Sequence, residues 1–243
     1  SVSAFLLNRS SDLRPYYGSK LIPGADRVVN KYRQEGKKIF FMTNNSTKSR
    51  KQIWEKLTGM GLECSYDEVY TSGYAAALYA KQMGYHTVYI MGSKALEEEF
   101  GELDITVSDQ AEVVIVGYDM TFDYQKLTDA LQVAFHADKI IACNKERHYP
   151  GENAKRMPGC GAMVGALEGS LGREVDYSVG KPNPLLMEII CKDNDLRPEE
   201  VVVVGDTYES DIVMAQNYGS SAVYIGEEDH KDIKCIHAIG ELL

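Results

Sequence analysis

The chain has 243 residues, 44% of them apolar, and a formal net charge of -10. That length can bury a core as one large domain or two modest ones, while the acidic balance repels phosphate backbones and argues against nucleic-acid binding. No apolar run approaches the roughly 18 residues of a membrane span, and no signal-peptide pattern opens the chain.

Short apolar runs alternate with helical patterns over almost the whole length. Ala4 to Leu7 reads as a first strand, followed by a polar turn and by "LIPGA", which begins a helix. Residues 39–43 (IFFMT) read as a buried strand, with a helix over 48–60 after it. A short strand at 68–71 leads into a helix over 74–83, and strands are expected at 88–91 and 113–117. In 124–136 the apolar residues fall at 127, 130, 131 and 134, which is helical spacing. A strand at 139–143 and a helix through 162–167 follow, then a helix over 184–193 that starts on Pro184, where a missing N–H costs little. Residues 201–204 (VVVV) and 222–225 are the last apolar strands. Continuous apolar strands joined by helices predict a doubly wound parallel sheet covered on both faces, whose ligands bind at the carboxyl ends of the strands. There is no internal repeat and no Gly/Ser/Pro linker, so a second domain has to be inserted between core elements through short hinges. The five cysteines (Cys64, Cys143, Cys160, Cys191, Cys235) are dispersed. They read as free thiols in a reducing cytoplasm and not as a disulfide or zinc framework.

Three strand ends carry polar residues suited to phosphate. In "FFMTNNSTKSR", Thr43, Asn44, Asn45 and Ser46 follow an apolar strand. A hydroxyl and free amides at a helix start can hold phosphate oxygens, and the same residues are also ordinary helix caps. In "VGKPNP", Lys181 stands between Gly180 and Pro182; alone it is a surface lysine. In "VVVVGDTYESDI", Gly205 allows a tight exit from a buried strand, and Asp206 and Asp211 follow. Two carboxylates there suit Mg²⁺, a cation that takes few, oxygen, ligands; the competing reading is a helix cap at Asp206. Asp211 is either a ligand through water or an orienting group.

Seven segments in order, "LIPGA", "FFMTNNSTKSR", "YTSGYAAALYA", "VVIVGYDMTFDYQKL", "MPGCGAMVGAL", "VGKPNP" and "VVVVGDTYESDI", resemble the haloacid dehalogenase (HAD) superfamily of phosphohydrolases, and its NagD-like or p-nitrophenylphosphatase branch. The resemblance implies an α/β fold with a Rossmann-like core, residues 1–85 and 176–243, and an inserted α/β cap, residues 86–175, that covers the site and selects the substrate. By position, Thr43 binds the transferring phosphoryl group with Asn44 and Asn45 beside it. Lys181 neutralises nucleophile and phosphate, Asp206 ligates Mg²⁺ and Asp211 supports it.

The first motif departs from that pattern. The family has an apolar strand followed by Asp-x-Asp-Gly, whose first Asp attacks phosphorus and ligates the metal and whose second protonates the leaving group. If the nucleophile directly follows the apolar run, Asn8 takes its place and Ser10 replaces the acid. Counting back from "GSKLIPGA" without a gap, Ser10 takes the nucleophile position and Asp12 that of the acid, and the strand has to run through the polar pair Asn8–Arg9. Burial of the strand favours the first register. Under both, the attacking carboxylate is missing. An Asn oxygen is a poor nucleophile and a weaker metal ligand, and a serine needs an adjacent base. Loss of a nucleophile costs on the order of 10⁶ in kcat in a hydrolase.

The basic run Lys145, Arg147, His148, Lys155 and Arg156 reads either as a rim that draws in an anion or as a solvated loop. The expectation is a phosphatase-family protein with a retained, weakened Mg²⁺/phosphate pocket for a small phosphorylated metabolite and little or no hydrolysis. The alternative is an active Mg²⁺-dependent phosphomonoester hydrolase with a non-standard first motif. Neither nucleic acid nor membrane is an expected partner. A homodimer through the cap and a cytoplasmic location complete the expectation.

Overall fold

A computed structural model describes residues 4–9, 16–17, 20–150 and 155–243, with 4–9, 16, 17, 20 and 150 described through their backbone. In chain order the elements are β1 (Ala4–Arg9), β2 (Tyr16–Tyr17), β3 (Lys20–Leu21), α1 (Ala25–Gln34), β4 (Lys38–Thr43), α2 (Arg50–Gly59), β5 (Val69–Thr71) and α3 (Ser72–Gln82). There follow β6 (Thr87–Met91), α4 (Lys94–Gly101), β7 (Thr106–Val107), β8 (Val113–Val116), α5 (Tyr124–Ala134), β9 (Lys139–Ala142), β10 (His148–Pro150), β11 (Arg156–Pro158), α6 (Cys160–Leu171) and β12 (Tyr177–Ser178). The chain closes with α7 (Leu185–Asn194), β13 (Val201–Gly205), α8 (Val213–Tyr218), β14 (Ser221–Ile225) and β15 (Lys234–Ile236).

The described residues form two compact units. The first takes those up to Thr43, Lys51–Tyr70 and Lys181–Leu243. Its six-stranded sheet has the order β15-β14-β13-β1-β4-β5, with β1 parallel to both β13 and β4. The four valines of β13 are buried to 7% exposure or less, which explains their unbroken apolar run: both sheet faces are covered. One face packs Val202 and Val204 with Ile39 and Phe41 against Val28 and Val29 of α1 and Ile53 and Leu57 of α2. The helix α1 starts where "LIPGA" predicts, with Gly24 at φ 91° before its first turn, a left-handed conformation that only glycine adopts cheaply.

The second unit takes Asn44–Arg50 and Thr71–Gly180. Its five-stranded sheet, order β12-β9-β8-β6-β7, is parallel throughout. Val114, Val116, Ile140 and Ala142 pack with Ala130, Val133, Met163, Val164 and Leu167 of α5 and α6. Of the basic run, His148 and Arg156 fall in the antiparallel pair β10-β11.

Two boundaries differ from the sequence reading. The chain changes unit at 70/71 and 180/181, where the sequence reading places the changes at 85/86 and 175/176, because α3 packs on α4 and stays with the second unit. The short segment 44–50 also belongs there. It is held by side chains: Ser72 Oγ and Asn144 Nδ2 both donate to Asn44 O at 2.8 Å, and Ser93 Oγ donates to Ser46 O at 3.1 Å. The chain therefore passes between units immediately after Thr43 and immediately before Lys181.

Candidate active site

The carboxyl edge of the first sheet gathers the predicted residues of the first unit. Thr43 is the last residue of β4 and 5% exposed. Asp206 follows the last residue of β13 and is 9% exposed. Pairing along β1 sets Thr43 level with Arg9 and Val204 level with Leu7. Asp206 lies two residues beyond Val204, as Arg9 lies two beyond Leu7, so Asp206 and Thr43 stand at one height on either side of β1. Two strand spacings separate their backbones by about 10 Å, with β1 between them.

This register corrects the first strand. The apolar run predicts an end at Leu7, but β1 continues through Asn8, opposite Met42, and Arg9, opposite Thr43. The backbone ladder to β4 alone carries the strand through these two residues, satisfying main-chain groups whatever the polarity of the side chains. The ground for putting Asn8 just past the strand, at the nucleophile position, is thereby removed. Ser10 and Asp12 lie outside the described residues, as does the side chain of Asn8.

Lys181 and Asp211 form a pair at 2.9 Å with both side chains fully inaccessible. Asp211 Oδ1 also accepts from Ser210 Oγ at 3.0 Å, and its Oδ2 accepts from the Thr207 N–H at 3.1 Å. Asp211 sits in a π-helical turn, Tyr208–Ile212, ahead of α8. Gly205 makes room for it: a Cβ on Gly205 would come within 2.5 Å of Asp211 Oδ2. A second glycine, Gly180, is required for a different close approach, since a Cβ there would lie 2.7 Å from Asn44 Oδ1. Lys181, which sequence alone leaves as a surface residue, is thus delivered into the interior.

Magnesium is implied by the resemblance, and among the described residues Asp206 suits it. Asp206 offers a carboxylate at the sheet edge, with Thr207 Oγ1 donating to its Oδ1 at 3.5 Å. Asp211, whose oxygens serve Lys181, Ser210 and Thr207, suits an orienting role and not direct ligation. No group of three or more His, Cys, Asp or Glu side chains is arranged for a metal among the described residues. Mg²⁺ is commonly held by one or two carboxylates, with water and substrate phosphate completing its shell, and Asp206 meets that minimum.

Asn44 and Asn45 fall in the second unit. Asn45 Oδ1 accepts from Thr47 N at 3.1 Å, Thr47 Oγ1 at 3.2 Å and Lys48 N at 3.0 Å, which closes its own turn as the cap reading expects. Ser46 Oγ accepts from Tyr118 N at 2.8 Å. The basic run is partly neutralised, with Lys145 Nζ at 2.9 Å from Glu168, and Tyr149 of β10 shares a 2.9 Å hydroxyl contact with Tyr118. Sequence reasoning missed Ser72, Ser93 and Asn144 as the groups that anchor segment 44–50. Isolated polar residues at strand ends carry no pattern that reveals such a partner.

Two family profiles match the chain, a haloacid dehalogenase-like hydrolase over residues 16–106 and a HAD-hydrolase-like profile over 178–238. The Sugar-phosphatase AraL of Bacillus subtilis is 32% identical over 214 residues, covering 86% of this chain and 78% of its own. The chain belongs to the haloacid dehalogenase-like hydrolases. Within them it falls in the NagD-like, p-nitrophenylphosphatase branch. The 4-nitrophenylphosphatase from Thermotoga maritima superposes with a TM-score of 0.91 at 25% identity, over 99% of this chain and 96% of the other. A glycerol phosphate phosphatase from Mycobacterium tuberculosis, solved in complex with magnesium, superposes with a TM-score of 0.83 at 26% identity, over 94% of this chain and 69% of the other. Among the described residues no helix is long and apolar enough to cross a membrane.

Proposed function

We propose that this HAD-family protein binds a small phosphorylated metabolite at the carboxyl edge of its first sheet and hydrolyses it weakly or not at all. The observation that carries the reading is the course of β1. It ends at Arg9, level with Thr43, and the next two residues in the sequence are Ser10 and Ser11, so the positions that directly follow the strand carry no carboxylate. This favours the register with Ser10 at the nucleophile position and Asp12 at that of the acid.

In this reading Thr43 contributes its hydroxyl to the phosphate, and Lys181, oriented by Asp211, contributes positive charge. Asp206 holds the magnesium ion, which when bound supplies positive charge to phosphate oxygens. A serine in place of aspartate removes both the attacking oxyanion and one metal ligand, so binding outlasts turnover. The second unit acts as the cap that selects the metabolite, and the protein works in the cytoplasm, as a homodimer through that unit.

A second reading, an active phosphatase with a non-standard first motif, draws support from the intact Lys181–Asp211 pair and from the phosphatase activity named for its relatives. A p-nitrophenyl phosphate assay with Mg²⁺ separates the two. The unmodified protein is expected to stay near background, and Ser10→Asp, with Asp12 already two residues on, to raise kcat by on the order of 10⁴ or more. Turnover by the unmodified protein at an ordinary kcat of about 1 s⁻¹ or above would replace the first reading with the second.

A further inference from the structure

The second sheet has its own ligand crevice. From β6 the chain moves outward to β7 on one side, then returns to β8 on the other and continues to β9 and β12. The strand order thus reverses between β6 and β8. Right-handed crossovers send α4, after β6, and α5, after β8, to opposite faces, so the loops leaving these two carboxyl ends diverge. Open parallel sheets bind ligands at such a switch point. A cavity of about 660 Å³ opens there, between the end of β6 and the loop that leads from β8 into α5. That volume lies within the range of small-molecule sites.

Its lining sets the ligand chemistry. Lys126 Nζ is fixed by Asp119 Oδ2 at 2.5 Å and Thr121 Oγ1 at 2.6 Å, a neutral pair. Lys48 and Lys94 also line the cavity, and neither is in an ion pair among the described residues. Against them stands one further carboxylate, Glu97. The cavity therefore carries a net positive charge in a chain of net charge -10. Tyr89, Met91 and Met120 supply apolar wall.

We infer that this crevice is a second binding site, for a small organic phosphomonoester with an apolar body, set wholly in the second unit and separate from Thr43, Lys181 and Asp206. Lys48 and Lys94 meet the phosphate as point charges, and the body of the ligand lies along Tyr89 and Met120. The inference stands whether or not the protein hydrolyses phosphate.

The test uses the full chain with methionine methyl groups labelled with ¹³C, in EDTA, titrated with AMP to about 10 mM, near the weak end of small-ligand affinity. The Met120 and Met91 methyl signals are expected to move saturably. The pair Lys48→Gln and Lys94→Gln is expected to weaken binding at least about tenfold, two charge-assisted contacts being lost, with an unchanged melting temperature. Asp206→Asn is expected to leave binding intact. Signals that stay still to the end of the titration, an unchanged affinity in the double lysine variant, or loss of binding in Asp206→Asn would each overturn the inference.

Discussion

Removing the Asp211 carboxylate tests the geometry of the first site most directly. Lys181 Nζ lies 2.9 Å from Asp211 Oδ1 and both side chains are inaccessible to water. Asp211→Ala strips a buried ammonium of that counter-charge, a change that costs about 3–5 kcal/mol. Proteins of this size lose roughly 2–4 °C of Tm per kcal/mol, so a fall of about 6–20 °C is expected by circular dichroism. Lys181→Met is expected to cost a similar amount, since it leaves the carboxylate buried. The double variant Lys181→Met/Asp211→Leu removes both charges together and is expected to be much more stable than the sum of the single losses. Its remaining penalty includes the Thr207 N–H, which loses Asp211 Oδ2, and the Ser210 hydroxyl, which loses Asp211 Oδ1, about 1–3 kcal/mol for the buried donor. The coupling energy should therefore reach at least about 2 kcal/mol. Additivity of the two single variants within about 0.5 kcal/mol, the behaviour of independent sites, would refute the buried pair as the element that orients Lys181.

Three further outcomes follow from the same structure. Gly205→Ala puts a Cβ within 2.5 Å of Asp211 Oδ2; it should lower stability by about 1–3 kcal/mol and weaken Mg²⁺ binding measured by calorimetry, whereas Gly36→Ala, at φ 74° with open space around it, should affect stability alone. Glu99 is 1% exposed; its Oε1 accepts from the Arg50 N–H, its Oε2 has no hydrogen-bond partner among the described residues, and burial pushes its carboxyl from 4.5 to about 7, against the pull of that N–H. The folded form then holds the proton more tightly than the unfolded chain, so stability should fall as pH rises from about 4.5 to 7 by about 3 kcal/mol; Glu99→Gln should remove that dependence, and an unchanged pH profile of Tm in the variant would count against it. Finally, four of the five free thiols are buried, and burial raises Cys64 and Cys160 to about 12. Ellman's reagent should titrate one thiol per folded chain, Cys235, and five after denaturation; fast reaction of a second thiol in the folded protein would contradict this packing.

Most of the fold was legible because burial leaves a linear trace. The valines of β13 and the run 39–43 read as central strands since both faces of a parallel sheet must be apolar, and the spacing in 124–136 identified α5 from the one face it buries. Short or exposed elements left no such trace. The pair β10-β11 and the edge strand β7 are polar or solvent-facing, so no apolar run marks them. The extent of β1 went the same way: its polar end is held by the ladder to β4, which no local pattern records.

The sequence by itself determined the residue types at the strand ends, Thr43, Lys181, Asp206 and Asp211, and the absence of aspartate from positions 8 to 11, because the chemistry of a side chain belongs to the residue. Only the tertiary structure decided what those residues do for one another. It buried Lys181 against Asp211, turned Asn45 inward on its own loop and set Thr43 level with Arg9. The reason is physical: a charge, a cap or a strand register takes its energy from the group it meets, and that group stands elsewhere in the chain.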